Sequence, residues 1–195
     1  MTHDHQDAAL LARMTRQGGD IVLTGPVTPE MAHDLHSALC DVDDEGEPLI
    51  VELTTNGGDA EIGRRMAIEI DRARLRLAKR RIVFLGTAVV YSAGVTIMSA
   101  FPRTDRYITA GGMLLIHGRQ LERTIALSGP IRASRPLVEA LLNEIDTGCE
   151  LENQAFARLI DGSAVTFAEV CEKALYNWYL SAEDALDRGL ITAVV

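Results

Sequence analysis

Apolar positions recur along this chain in two periods, one that suits strands and one that suits helices. Residues 20–26 hold the run Ile21-Val22-Leu23 and stop at Gly25-Pro26, which predicts a buried strand closed by a turn. Thr28 followed by Pro29 reads as a helix start, and Met31, Leu35 and Leu39 then repeat every four residues on one face. Residues 48–55 predict a second strand, ended by the turn Asn56-Gly57-Gly58-Asp59. Ile62, Met66, Ile70, Ala73 and Leu77 mark the next helix. Residues 82–90 are nearly all apolar, as a strand buried on both faces must be. Strands alternating with helices of this length imply βαβ units with right-handed crossovers and a largely parallel sheet, an α/β fold.

Beyond Ser92 the spacing of Val95, Met98 and Phe101 predicts a short buried helix, followed by strands over 105–110 and 112–117. Residues 119–134 show no period. Val138, Leu141, Leu142, Ile145, Cys149, Phe156 and Leu159 predict one long helix or a broken pair. Thr166 with Glu169 and Ser181 with Asp184 have the spacing of capping boxes, and Gly189 is placed to close the last helix. Residues 1–19 read as a flexible leader with a short amphipathic turn over 8–14. Residues 20–195 then form a single domain, with no repeat and no linker.

Composition narrows the partners. Of the 195 residues 47% are hydrophobic and 24% charged, with a net charge of −9. That balance supports a folded core and opposes binding to nucleic acid or an anionic membrane surface. Lys79-Arg80-Arg81 reads as a solvated helix end. Cys40, Cys149 and Cys171 have neither disulfide nor metal spacing; they read as small core residues in a reducing compartment. His3 and His5 read as part of a tail rather than metal ligands, and His33 and His36 as surface residues off the apolar stripe. No run reaches the roughly 18 apolar residues of a membrane span, and the first residues are acidic rather than basic, so a cytoplasmic protein is expected.

Three features carry candidate chemistry. Ser92 follows an apolar strand and precedes Ala93-Gly94 at the start of a helix, where unpaired amides and the positive dipole end favour an alkoxide or an oxyanion. Gly57-Gly58 forms another strand-to-helix turn on the same sheet edge, where the backbone can approach a carbonyl closely. His117 closes the apolar strand Met113-Leu114-Leu115-Ile116. Each alone has an ordinary reading, as a helix cap, a βα turn and a core histidine.

Taken in order, Asn56-Gly57-Gly58, Tyr91-Ser92-Ala93-Gly94, Leu115-Ile116-His117 and the ending Leu180-Ser181-Ala182-Glu183-Asp184-Ala185 with Gly189-Leu190-Ile191 resemble the Clp protease proteolytic subunit family over roughly residues 20–195. The resemblance implies a ClpP/crotonase-like fold of repeated βαβ units, with a long handle helix from about Arg135 joining two rings. It also implies a serine endopeptidase with Ser92 as nucleophile, His117 as base and the amides of Gly57 and Ala93 as oxyanion donors, a mechanism that needs no metal or organic cofactor. Peptides or unfolded proteins are the implied substrates, enclosed in a homo-oligomeric ring. The family's third triad member is an aspartate; Asn177 stands at that position here, with Glu172, Asp184 and Asp187 as nearby carboxylates. Asn56 replaces the usual proline, and Gly118-Arg119 follow the histidine in place of Gln-Pro. No glycine-rich substrate strand is evident over 119–134, and the residues before Asp20 show no axial hairpin for an ATP-dependent Clp unfoldase. Two other readings follow: a catalytically impaired ring subunit that binds peptides, motivated by Asn177, and a crotonase-type acyl-CoA enzyme, which would need neither Ser92 with His117 nor this ending. Tyr91 and Trp178 read as aromatic packing beside strand ends.

Overall fold

The computed structural model describes residues 2–195, with side chains from Asp7 onward. Strands β1 (Ile21–Thr24), β2 (Leu49–Thr55), β3 (Ile82–Tyr91), β4 (Arg106–Ile108) and β7 (Ala193–Val194) run parallel in that spatial order. Helix α2 (Pro29–Cys40) joins β1 to β2, and α3 (Ala60–Arg76) joins β2 to β3. Both bury the apolar faces expected from their periodicity: Met31, Leu35 and Leu39 on α2, and Met66, Ile70 and Ala73 on α3.

The ten residues of β3 divide the sheet. Its first half pairs with β4 through Phe84, Leu85 and Gly86. Its second half pairs with β5 (Met113–Ile116) through Val89, Val90 and Tyr91. Between the two halves Ala88 takes φ 54°, a left-handed conformation that redirects the strand. β6 (Trp178–Ser181) then adds antiparallel to β5. The sequence period did not assign this strand, because four residues between two helices give too short a signal.

Both faces of the parallel sheet are covered, as the apolar content of β3 required. One face packs against α2, α3 and the short helix α4 (Ala93–Met98). The cover for Ile50, Val83 and Leu85 on the other face is helix α1 (Thr2–Gln17), through buried Leu10 and Met14 one turn apart. Where a loose leader with a short turn was expected, the chain forms a 16-residue helix. Arg13 donates to the Pro48 carbonyl at 2.7 Å and Arg81 pairs with Asp7 at 2.7 Å, tying α1 to the sheet. The side chains of His3 and His5 lie outside the described residues.

The long helix is unbroken: α5 (Ile131–Ile160) runs for 30 residues, with only Phe156 and Leu159 buried. Its last turn is fixed by Arg106, which is 2% exposed. The five N–H groups of this guanidinium donate to the carbonyls of Phe101, Leu159, Leu190, Ser99 and Arg158, so one buried side chain joins the end of α4 to the end of α5. Burial without a carboxylate partner lowers its pKa to about 10.

Two local expectations change. On α6 (Phe167–Ala174) Thr166 accepts from the Glu169 N–H, but the Glu169 carboxylate turns to Arg188 at 2.6 Å, so half a capping box forms. The full box forms at Ser181 and Asp184, at the start of α7 (Ala182–Asp187). Cys40 and Cys149 are exposed rather than the core residues that small side chains on a helix suggested, whereas Cys171 is half-buried and packs against the core.

Candidate active site

Ser92 sits where β3 turns into α4, with φ 55° and ψ −115°. A residue with a β-carbon avoids this region, at a cost of about 1–3 kcal/mol, and holds it only where the surroundings impose it. Here they do. The Ser92 N–H donates to the Leu115 carbonyl at 2.9 Å, and its own carbonyl accepts from the Val95 N–H at 2.9 Å.

Two glycines let the neighbouring chain come close. A β-carbon on Gly57 would lie 2.7 Å from the Ser92 Cβ and 3.1 Å from the Tyr91 carbonyl, so the β2–α3 turn reaches Ser92 only because that side chain is missing. A β-carbon on Gly94 would clash with Thr55 Cγ2. Together they press the start of α4 against the end of β2.

Helix α4 has no side-chain cap, so the N–H groups of Ala93 and Gly94 have no acceptor within the helix. The Gly57 N–H, expected to face a substrate carbonyl, instead donates to Thr55 Oγ1 at 3.0 Å. It is Gly58 that lines the cavity beside Ser92, and its N–H has no acceptor among the described residues. A glycine pair in the sequence does not reveal which member turns inward; the Thr55 hydroxyl decides it.

Ser92 and His117 line one cavity of about 420 Å³, together with Asn56, Gly58 and Ala93 and with side chains of α3 and α5. A second space of about 30 Å³ is also lined by both residues, with Ile116 and Phe156. The parallel register explains the meeting: Tyr91 pairs with Leu115, so Ser92 and His117 leave adjacent strands at the same end. No hydrogen bond joins the Ser92 hydroxyl to the imidazole. His117 Nδ1 lies 2.7 Å from the Gly118 carbonyl. A carbonyl only accepts, so Nδ1 carries the hydrogen, and in the neutral ring that leaves the lone pair on Nε2, the tautomer a general base needs.

No hydrogen bond joins Asn177 to the imidazole. Ile116 pairs with Trp178 across the β5–β6 ladder, so His117 and Asn177 are successors at its end, but Asn177 has φ 58° and its side chain is exposed. The hydrogen bond expected from it is made by Gly118. Glu172 and Asp187 are likewise exposed, and Asp184 is held in its capping box.

The carboxylate that does reach this segment, Glu152 on α5, was not singled out by the sequence. It accepts from the Arg119 N–H, while the Arg119 guanidinium pairs with Glu61 in the first turn of α3. The segment after His117 is thereby fastened to both helices that wall the cavity. Tyr91 and Trp178 pack as expected: Tyr91 meets Tyr179 edge-on at 5.7 Å, and Trp178 lies under Lys173 and Arg188.

The Clp protease family model matches residues 3–195. The ATP-dependent Clp protease proteolytic subunit 3 of Rhizobium etli is 26% identical over 178 residues, covering 90% of this chain and 82% of its own length. The ATP-dependent Clp protease proteolytic subunit 2 of Pseudomonas aeruginosa is 25% identical over 179 residues, covering 90% and 80%. Among solved structures, an Asn-to-Asp variant of ClpP1 from Listeria monocytogenes matches with a TM-score of 0.70 at 17% identity over 90% of both chains, a likeness of fold.

Proposed function

The chain belongs to the Clp protease family, and from that premise we propose that it is a serine endopeptidase that cleaves peptide bonds through an acyl-enzyme on Ser92. One observation carries the reading: Ser92 holds a strained conformation at an uncapped helix start, in one cavity with an imidazole whose Nε2 is free to accept. The step requires the two side chains, which line one cavity, to turn so that Ser92 Oγ meets Nε2. His117 then takes the hydroxyl proton as Oγ attacks the carbonyl carbon. The N–H groups of Ala93 and Gly58 receive the oxyanion, and the leaving amine takes the proton from Nε2. Water attacks the ester by the same route in reverse. The Gly118 carbonyl fixes the Nδ1–H tautomer, a part that needs no carboxylate, but as a neutral dipole it stabilises the imidazolium less than an aspartate does.

Assembly into a homo-oligomeric ring is part of this proposal. Helix α5 leaves Val138, Leu142 and Ile145 exposed on one face, an apolar stripe that a second copy would cover. The curated relatives are ATP-dependent by name. For an ATP-driven partner the N-terminal segment offers helix α1, packed on the sheet, rather than a hairpin. Three free thiols support a cytoplasmic location.

The exposed Asn177 and the unjoined Ser92–His117 pair favour a second reading, an impaired ring subunit that binds peptide without cleaving it. A fluorophosphonate probe decides between the two. Labelling of Ser92 that disappears in His117→Ala is expected of the peptidase. An unlabelled native protein assigns the impaired subunit.

A further inference from the structure

A second nucleophile–imidazole pair lies on the opposite flank of α3. Helix α2 carries His36 and Cys40 one turn apart, both exposed, with Cys40 Sγ 3.6 Å from His36 Nε2. The other ring nitrogen, Nδ1, is 3.6 Å from Glu69 Oε2 on α3, an ion-pair distance. Glu69 Oε1 accepts from Arg65 at 3.0 Å, whereas Oε2 is buried and has no hydrogen-bond partner. The imidazole therefore bridges a carboxylate and a thiol along its length. A hydrogen on Nδ1, turned toward the orphan oxygen, leaves Nε2 to accept the thiol proton. This is a relay rather than a chelate: among the described residues no three such side chains converge on a metal ion.

The end of α2 would oppose a thiolate, because helix C-terminal carbonyls carry negative potential. Arg76 offsets that potential. Its guanidinium donates to the carbonyls of Leu39 and Val42, which flank Cys40. The other cysteines have no such setting: Cys149 has no imidazole against it among the described residues, and burial pushes the Cys171 thiol up.

We propose that Cys40 is a reactive thiol activated by His36, a modification site for soft carbon electrophiles, with Glu69 as the positioning residue. The Sγ–H proton passes to Nε2 and sulfur attacks the electrophilic carbon. With iodoacetamide, the C–S bond forms as the C–I bond breaks, iodide leaves with the bonding pair, and the imidazolium releases its proton to solvent.

Timed alkylation of the folded protein with iodoacetamide, read at each cysteine by peptide mass spectrometry with reduced glutathione in the same tube, tests this. Cys40 is expected to react about tenfold faster than glutathione. In His36→Gln it should fall to the glutathione rate or below, with the Cys149 and Cys171 rates unchanged as a check on folding. Since His36 is exposed, that variant keeps the core intact. A native Cys40 no faster than glutathione, or a rate unmoved by His36→Gln, overturns the proposal.

Discussion

At Ser92 the backbone is prepared for chemistry and the proposed base stands apart from the proposed nucleophile; at Cys40 the imidazole touches the thiol, and among the described residues no backbone donor faces it. The first arrangement comes from the C-terminal edge of a parallel sheet, where strained turns and an uncapped helix start meet. The second comes from two helix surfaces, where one turn of spacing puts an imidazole beside a thiol. A helix flank can activate a nucleophile but cannot stabilise a tetrahedral oxyanion, because its amides are already bonded within the helix. The proposed acyl transfer therefore needs the sheet edge, whereas simple alkylation suffices for the flank.

Removing the nucleophile separates the two most sharply. Ser92→Ala should lower peptide hydrolysis by about 10⁴-fold or more, since the remaining donors bind substrate without attacking it. Alkylation of Cys40 should not change. Peptidase turnover and per-cysteine alkylation in one preparation check both halves, and surviving hydrolysis in this variant would place the chemistry elsewhere.

Gly57→Ala tests whether the sheet edge depends on close approach. The added β-carbon meets the Ser92 Cβ at 2.7 Å and would have to hold φ 99°, so strain and overpacking together should cost about 2–4 kcal/mol. Turnover should fall about 100-fold as the turn backs away from Ser92. Gly25→Ala is the control, with φ 108° and open space around the new atom; it should lose only about 1–3 kcal/mol, with unchanged turnover in the folded fraction. Equal effects of the two changes on turnover would mean that the contact with Ser92 is incidental.

Such close approaches separate what the sequence made legible from what it did not. Apolar period placed β1, β2, β3, α2 and α3, since each of these elements buries a regular face; α5 carries the same period although it buries only Phe156 and Leu159. Motif order placed Ser92 and His117, and the parallel register brought them into one cavity. The misses were set by contacts between residues distant in sequence. Helix α1 carries few apolar residues, and what orders it is the uncovered face at Ile50 and Val83. The inward turn of Gly58 rather than Gly57 depends on the Thr55 hydroxyl. The Gly118 carbonyl in place of Asn177 depends on a backbone conformation that no motif encodes.

That last difference gives a smaller prediction. If Asn177 oriented His117, Asn177→Asp would raise turnover by up to about 10⁴-fold, the size of the aspartate effect in serine proteases. Its side chain is exposed and the Nδ1–H is held by Gly118. The expected change in kcat/KM is therefore within about threefold. A rise of 100-fold or more would show that residue 177 swings against the imidazole in the working enzyme, and the sheet-edge site would then also have a joined base.

The smallest effect concerns the flank. Glu69→Gln keeps the shape of the side chain and removes the charge that Oε2 presents to His36 Nδ1. With that distance at 3.6 Å and His36 half-exposed, the pair contributes weakly, so Cys40 alkylation should slow only about two- to threefold. Stability should change by less than about 1 kcal/mol: the amide oxygen still accepts from Arg65 without the charge, and an NH2 group takes the place of a buried oxygen that had no partner. His36→Gln acts on the nitrogen that receives the proton, whereas Glu69→Gln acts only on the ring's orientation. Paired rates for the two variants should therefore rank in that order. A Glu69→Gln loss as large as that of His36→Gln would mean that the imidazole leaves the thiol altogether once the carboxylate is gone, making the flank as dependent on long-range contacts as the sheet edge.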